Sequence, residues 1–266
     1  MRLLIETSLE YHMPEPADVL LIVEVANLPD QRLIEDRLIV NGSGALRPLD
    51  GEDMTGRRTW TRGHGDFRAS YRAEVEVERR TRTIDELPIM PRSSLPPDVI
   101  PYLWPSRYCE ADRFEAFIER EFPERDHGAR IQRMADWIHQ HVDYCPGASD
   151  ATTTAVDMFV RRQGVCRDFA HLLISFVRAA GVPARMVSAY AWQLQPPDFH
   201  AVVEVWLDGD WYLVDPTRLA PLDGLVRIAM GRDATDIAFM SIFGTAELKA
   251  QSVSISAIGQ IDRAAA

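Results

Sequence analysis

The sequence predicts an α+β protein, with helices packed on an antiparallel sheet and a separate antiparallel β-domain at the start of the chain. Residues 67–78 (FRASYRAEVEVE) alternate apolar and polar side chains, which indicates a strand with one buried face. Residues 88–105 contain six prolines, a density that neither a helix nor a central strand tolerates. From residue 166 to 180, apolar residues recur at the i, i+3, i+4, i+7 spacing of a buried helix face.

These patterns divide the chain into three parts. The N-terminal β-domain is expected over residues 1–87, where DVLLIVEVA and LIEDRLIVN are further strand candidates. A proline-rich linker is expected over residues 88–108, and its apolar side chains indicate that it packs on a protein surface. The second domain is expected over residues 109–266, with helices first and then the strands ARMVSAY, FHAVVEVWL, WYLVD and QSVSISAI.

Composition excludes several classes of function. The 266 residues carry a formal net charge of −11, which argues against a nucleic-acid or anionic-membrane binder. In the first residues, MRLLIETSLE, the short apolar run ends at Glu6, so no signal-peptide apolar region is expected there. No apolar run elsewhere reaches membrane-span length. The three cysteines form no C-x-x-C pair, which argues against a disulfide framework or a zinc knuckle. A cytoplasmic location is therefore expected.

Cys166 is placed by these boundaries within the first turn of the helix that runs to about residue 180. Unpaired backbone N–H groups and the positive end of the helix dipole favour an anion there. A thiolate is the reactive form of cysteine, and the same N–H groups could stabilise a developing oxyanion. A small apolar residue filling a core is the alternative, and spacing alone leaves both open.

His200 and Asp215 lie in a predicted β-hairpin whose turn is Asp208-Gly209, a strong two-residue turn signal. With that turn, Val202 lies opposite Asp215, and His200 becomes the diagonal neighbour of Asp215 on the same face. A three-residue loop would put the two side chains on opposite faces. Each also has an ordinary alternative, as a solvated strand-end histidine and as the first residue of an Asp-Pro turn.

The order cysteine, histidine, aspartate is that of a helix-borne nucleophile followed by a strand-borne base and the acid that orients it. The segments GVCRDFAHLLISFVRAAGVPARMVSAY, DFHAVVEVWLDGDWYLVDPTRLAP and GRDATDIA, in this order, resemble the bacterial transglutaminase-like superfamily, many of whose members are named as cysteine proteases. The resemblance covers roughly residues 130–240. The β-rich start of the chain and LPPDVIPYLWPSRYCEADRF also resemble the accessory region of this bacterial subgroup.

The resemblance implies a papain-like, transglutaminase-like core in which residues 109–266 form the catalytic domain. It implies that Cys166 is the nucleophile, His200 the general base and then acid, and Asp215 the residue that orients His200. An acyl-thioester intermediate and an oxyanion hole that includes the Cys166 N–H follow from it. Tyr144 is the candidate side-chain oxyanion donor and Trp192 a candidate wall of the cleft, although both residue types also pack in cores.

The motif GRDATDIA contributes Arg232, Asp233 and Asp236, which we assign to a structural ion-pair network rather than to chemistry. No cofactor is expected, because no glycine-rich phosphate loop is present. No metal is expected either, because the cysteines and histidines lack zinc-ligand spacing and no EF-hand loop occurs.

Three functions remain after these exclusions. The leading one is a cysteine protease or amidase that hydrolyses an amide bond of a peptide or protein substrate. The close alternative is a protein-glutamine transglutaminase with an amine as acceptor. The third is a non-catalytic peptide-binding module, against which the intact cysteine, histidine and aspartate argue. No nucleic-acid or membrane partner is expected, whereas an exposed strand edge in the N-terminal domain could pair with a second copy to form a homo-oligomer.

Overall fold

The computed structural model describes residues 1–51, 55–79, 82–124 and 127–258. Two antiparallel sheets dominate it, and helices pack against the second sheet. The chain begins with β1 (Arg2–Leu21), β2 (Gln31–Ser43), β3 (Arg47–Leu49), β4 (Arg58–Val77), α1 (Glu115–Glu121), α2 (Ala129–His141), β5 (Asp143–Tyr144), α3 (Ala155–Arg161) and β6 (Gln163–Gly164). It continues with α4 (Cys166–Ala179), β7 (Ala184–Ala191), β8 (Phe199–Leu207), β9 (Asp210–Val214), β10 (Leu225–Gly231), α5 (Ala234–Ile237), β11 (Met240–Phe243) and β12 (Glu247–Ala257).

The first sheet confirms the antiparallel β-layer expected at the start of the chain. In β4, the side chains of Phe67, Ala69, Tyr71 and Ala73 are buried, and those between them are exposed or half-buried. Both β1 and β2 pair with β4 in antiparallel register. Alternation along one strand therefore predicted which of its faces is buried.

The end of the chain differs from the predicted division. Both β11 and β12 pair with β1, with Leu3 opposite Ala257. Residues 240–257, which the sequence analysis placed in the catalytic domain, thus complete the N-terminal sheet. Alternation in QSVSISAI predicts a strand but carries no information about which sheet that strand joins. One apolar core also runs through both parts, since Ile5 and Phe176 belong to the same buried cluster.

The proline-rich segment packs on the protein surface, as its apolar side chains indicated. Val99 and Tyr102 are buried. The Tyr102 ring meets the Trp211 ring edge-on, with 5.4 Å between centroids. The backbone carbonyl of Gly181 accepts a hydrogen bond from Arg92 Nε at 3.3 Å. The exact limits of 88–108 as a linker stay a prediction.

The second sheet has the strand order β10-β7-β8-β9, so β9 forms an edge. Its last hairpin has the register expected from the sequence, with Leu207 paired to Asp210. The turn residues Asp208 and Gly209 have φ angles of 48° and 82°. Two positive φ values are the signature of a type I′ turn, the conformation that an Asp-Gly pair favours.

The two faces of the second sheet have different coverings. One face contributes Met186, Val203 and Val205 to the main core that α4 also enters. The other face contributes Val187 and Val202 to a smaller cluster, which is covered by residues such as Ala26 and Leu28 between β1 and β2. Because strand side chains alternate, His200 and Glu204 lie on the same face as Val202.

The helix that carries Cys166 is anchored by Phe176, which is fully buried. Its ring lies 5.2 Å from that of Phe114 and 5.3 Å from that of Phe117. Replacing Phe176 by alanine should lower the free energy of unfolding by about 3–5 kcal/mol, because lost contacts add to the cavity left behind. Urea unfolding followed by circular dichroism measures this.

Phe243→Ala is the matched control, because Phe243 is 64% exposed and loses the same atoms. It should cost less than about 1 kcal/mol. Equal costs for the two variants would contradict the anchoring of α4 by Phe176.

Candidate active site

Cys166 is the first residue of α4 and is half-buried. The start of the helix is fixed by Asp168, whose buried carboxylate accepts a hydrogen bond from the Val165 backbone N–H at 2.9 Å. Gly164 permits this arrangement, since a Cβ at that position would lie only 2.9 Å from the Asp168 Cβ. These contacts place the thiol at the positive end of the helix.

Tyr144 lies beside Cys166 because β5 and β6 form a short parallel pair. Tyr144 is paired with Gly164, and the Cys145 N–H donates to the Gly164 carbonyl at 2.9 Å. Burial raises the pKa of Tyr144 to about 12, and the charge of Cys166 and a hydrogen bond to its side chain add to this, whereas a hydrogen bond to the Cys166 backbone opposes it. The candidate oxyanion donor is therefore next to the thiol, with 43% of Tyr144 exposed.

His200 and Asp215 are joined as the hairpin register predicts. His200 Nε2 lies 2.9 Å from Asp215 Oδ2, and both side chains are almost fully buried. The other carboxylate oxygen, Asp215 Oδ1, accepts hydrogen bonds from Thr217 Oγ1 at 2.7 Å and from the Thr217 N–H at 2.9 Å. Burial opposes ionisation of Asp215, but the hydrogen bond and charge of His200 and the bonds from Thr217 outweigh it and lower the pKa of Asp215.

The imidazole of His200 also interacts with Cys166. Burial by itself would lower the pKa of His200, but hydrogen bonds and charges from Asp215 and then Cys166 raise it to about 10. Nε2 is used by Asp215, so Nδ1 is the ring nitrogen left for Cys166. Nδ1 is buried and makes no hydrogen bond to any residue that the structure describes, so it is free to accept one from the Cys166 thiol. The ring thus lies between a carboxylate and a thiol.

Trp192 lies just after β7, where its N–H donates to the Gly224 carbonyl at 3.1 Å. A Cβ on Gly224 would lie 3.0 Å from the Trp192 side chain, so the indole packs tightly on this turn. Trp192 is half-buried. Its part as a wall of the cleft stays a prediction, and packing against Gly224 is the contact that the structure gives it.

Two further residues, Thr217 and Gln251, hold the site in place and were not predicted from the sequence. Thr217 fixes the Asp215 carboxylate, and the only local signal was its position two residues after the aspartate. Gln251, in β12, donates from Nε2 to Asp198 Oδ1 at 2.6 Å, two residues before His200. Asp198 and Gln251 are far apart in the chain and paired only by the fold, so no local pattern could have found this contact.

The GRDATDIA segment makes structural contacts. Arg232 forms an ion pair with Asp236, with 3.0 Å between Nε and Oδ2. Asp233 accepts hydrogen bonds from the backbone N–H groups of Thr235, at 2.9 Å, and Tyr108, at 3.1 Å. These contacts cap α5 and tie it to the linker, in keeping with the assignment of the three residues to a structural network.

Within residues 1–51, 55–79, 82–124 and 127–258, no three histidine, cysteine or carboxylate side chains are grouped as metal ligands. Among the same residues, no helix combines the length and apolar character needed to cross a membrane.

A family model described as the transglutaminase-like superfamily matches residues 117–216, the stretch that contains Cys166, His200 and Asp215. The crystal structure of a "putative cysteine protease" from Cytophaga hutchinsonii is similar over nearly the whole fold. It has a TM-score of 0.91 and 35% sequence identity, with 98% of this chain and 91% of that chain covered.

Two curated proteins are similar over shorter stretches. An uncharacterised protein of Mycobacterium leprae is 29% identical over 150 residues, which cover 51% of this chain and 52% of that protein. A protein-glutamine gamma-glutamyltransferase of Pseudomonas aeruginosa is 36% identical over 88 residues, which cover 29% of this chain and 13% of that enzyme. The chain thus spans about half, or less, of the length of these curated relatives. The matched family model and the similarity to the Cytophaga protein along almost its entire length place this chain in the transglutaminase-like superfamily.

Proposed function

We propose that the protein is a thiol-dependent acyl-transfer enzyme that acts on amide bonds, and that it hydrolyses them as a cysteine protease or amidase. The observation that carries the proposal is the position of His200, whose Nε2 is bound by Asp215 and whose buried Nδ1 is left without a hydrogen-bond partner among the described residues, while Cys166 contributes to raising the pKa of the ring. A nucleophile, a base and an orienting acid in this order form the arrangement used for acyl transfer. A peptide or protein in the cytoplasm is the proposed substrate.

In the first half of the reaction, the Cys166 proton passes to His200 Nδ1, and the resulting thiolate, paired with the imidazolium, attacks the amide carbonyl carbon. A carbon–sulfur bond forms, the carbon–nitrogen bond breaks, and His200 returns the proton to the leaving nitrogen. In the second half, His200 takes a proton from water as the water oxygen attacks the thioester. The carbon–sulfur bond breaks, a carboxylic acid leaves, and Cys166 regains its proton.

Asp215 and Tyr144 have supporting parts in this scheme. Asp215 keeps the ring of His200 oriented and stabilises the imidazolium, and Thr217 prevents the carboxylate from rotating away. The oxyanion would be bound by the Cys166 N–H at the helix end, with the Tyr144 hydroxyl as the side-chain donor. An oxyanion hole usually consists of two hydrogen-bond donors that point at the developing negative charge.

Transglutamination is the second candidate, because the Pseudomonas aeruginosa relative with 36% identity over 88 residues is a protein-glutamine gamma-glutamyltransferase. The two reactions share the acyl-thioester and differ only in the acceptor, water or a primary amine. Hydrolysis is preferred here because it needs no second substrate site.

Cys166 should be the most reactive thiol of the protein. With iodoacetamide at pH 6, we expect Cys166 to be alkylated about tenfold faster than Cys145, since the helix end and the His200 imidazolium both stabilise a thiolate. Peptide mass spectrometry over pH 5–8 measures the two rates. Cys145→Ala should leave the fast phase intact, and Cys166→Ala should remove it. Equal rates at the two cysteines would favour a non-catalytic scaffold.

The ring of His200 should titrate at unusually high pH. Its folded-state pKa is raised to about 10, so the His200–Asp215 pair stabilises the fold fully below the unfolded pKa of about 6.5. That stabilisation is lost as the pH rises through about 10. NMR of the imidazole signals, with the His200 signal assigned by comparison with His200→Gln, should show a lower pKa for His200 in Asp215→Asn. Asp210→Asn, on the same hairpin, should leave it unchanged, and an unshifted pKa in Asp215→Asn would contradict the pairing.

Hydrolysis and transfer are distinguished by one incubation. A library of glutaminyl and other peptides is treated with the enzyme, with and without a primary amine, and the products are identified by mass spectrometry. We expect cleavage or deamidation without amine incorporation, and a rate lower by on the order of a thousandfold or more in Cys166→Ala. Amine incorporation would identify a transglutaminase. Products that form equally fast with Cys166→Ala would contradict both candidates.

A further inference from the structure

A group of arginines lies on the face of the second sheet that also carries His200. Arg185 in β7 is paired directly with Glu204 in β8, and the two side chains form an ion pair at 2.6 Å. Arg227 in β10 binds the same carboxylate from its other side, at 2.6 Å. Asp30 joins Arg227 to Arg79, whose Nε is 2.7 Å from the Asp30 carboxylate.

The three arginines and Asp30 line a cavity of about 340 Å³. Its wall also contains Arg82 and the aromatic residues Trp211 and Tyr212 of the edge strand β9. A second cavity, of about 650 Å³, adjoins it and reaches Asp215. Arg82, Leu213 and Leu222 line both cavities.

Two N–H donors of this wall lack an acceptor. Arg79 Nη2 and Arg227 Nε are buried and make no hydrogen bond to the described residues. The side chains are 9% and 10% exposed, so bulk water has little access to them. Leaving a buried donor unpaired is costly, and such groups usually indicate a bound water or ion.

The charges of the wall are not balanced. Four arginines and two aspartates, Asp30 and Asp210, line the cavity. Glu204, behind the wall, is already used by Arg185 and Arg227. One positive charge is left over. Burial lowers the pKa of Arg79 and the nearby Arg227 lowers it further, while Asp30, which lies between the two guanidinium groups, opposes this; a second anion beside Asp30 would reduce the remaining repulsion.

We propose that this cavity binds the carboxylate of an extended ligand, with the carboxylate at Arg79 and Arg227 and the rest of the ligand along Leu213. A guanidinium presents parallel N–H donors that match the two oxygens of a carboxylate. One surplus positive charge matches a monoanion better than a phosphate dianion. Leu213 and Asp215 are about 7 Å apart along an extended strand, so a short ligand can span both cavities.

Ion pairing alone does not account for the arrangement. Asp30 and Glu204 already bind Arg79, Arg185 and Arg227 and join the segments on which they lie. The free donors of Arg79 and Arg227 are additional to those bonds, and Arg82 adds an exposed charge at the junction of the cavities. The proposed binding is independent of the thiol chemistry, because it needs neither Cys166 nor His200.

N-acetyl-leucine and its uncharged amide are the probes, compared at matched ionic strength. Binding is measured by tryptophan fluorescence and by the shift in melting temperature. The variant Trp211→Phe identifies whether the indole of Trp211 is the one that responds. We expect the acid to bind at least about tenfold more tightly than the amide. Arg82→Gln should weaken acid binding several-fold, and Arg68→Gln, on the exposed face of the first sheet, should not.

Each other outcome contradicts the proposal. Equal affinity for acid and amide, or no binding of either, would mean that water satisfies the free donors. Tighter binding of inorganic phosphate than of N-acetyl-leucine would exclude a carboxylate as the preferred ligand. An unchanged affinity in both Arg82→Gln and Arg79→Gln would place the ligand elsewhere. Loss of binding after alkylation of Cys166 would place it at the thiol, whereas unchanged binding separates this site from the proposed catalysis.

Discussion

The hydrogen bond between His200 Nε2 and Asp215 Oδ2 fixes the geometry on which the candidate site depends. Both groups are buried, so solvent cannot replace the bond and the imidazole has one stable orientation. The type I′ turn at Asp208 and Gly209 sets the strand register, and this register brings the two side chains to the same face. A charged pair held in this way is costly to bury, and Thr217 offsets part of that cost by binding the remaining carboxylate oxygen.

The second constraint is the position of the sulfur. Asp168 and Gly164 fix the first turn of α4, and the main core holds the rest of the helix. The same core includes side chains from the first sheet, such as Ile5. The N-terminal strands are therefore part of the scaffold that keeps Cys166 in place. The segment between β1 and β2 covers the opposite face of the second sheet, where the arginine-lined cavity lies.

The positions of Cys166, His200 and Asp215 could be predicted from the sequence because they depend on patterns between residues close together in the chain. Helical spacing after Cys166 placed the thiol at a helix start, and a two-residue turn was enough to bring His200 next to Asp215. Contacts between distant segments could not be found in this way. Tyr144 reaches Cys166 through a parallel pairing of two-residue strands, too short to leave a pattern. The partners Asp30 and Arg227 lie at opposite ends of the chain, and the pairing of β12 with β1 likewise depends on the complete fold.

The contact between Gln251 and Asp198 has a mechanical consequence. It ties the loop before His200 to a strand of the other sheet, and the stacked rings of Phe199 and Phe239, 4.5 Å apart, add a second tie at the same point. Any displacement of this loop would have to break the hydrogen bond between Gln251 and Asp198 and separate the two stacked rings. The position of the loop that leads into His200 is therefore set by residues outside the second sheet, and a change in the first sheet would be transmitted to the imidazole through these two contacts.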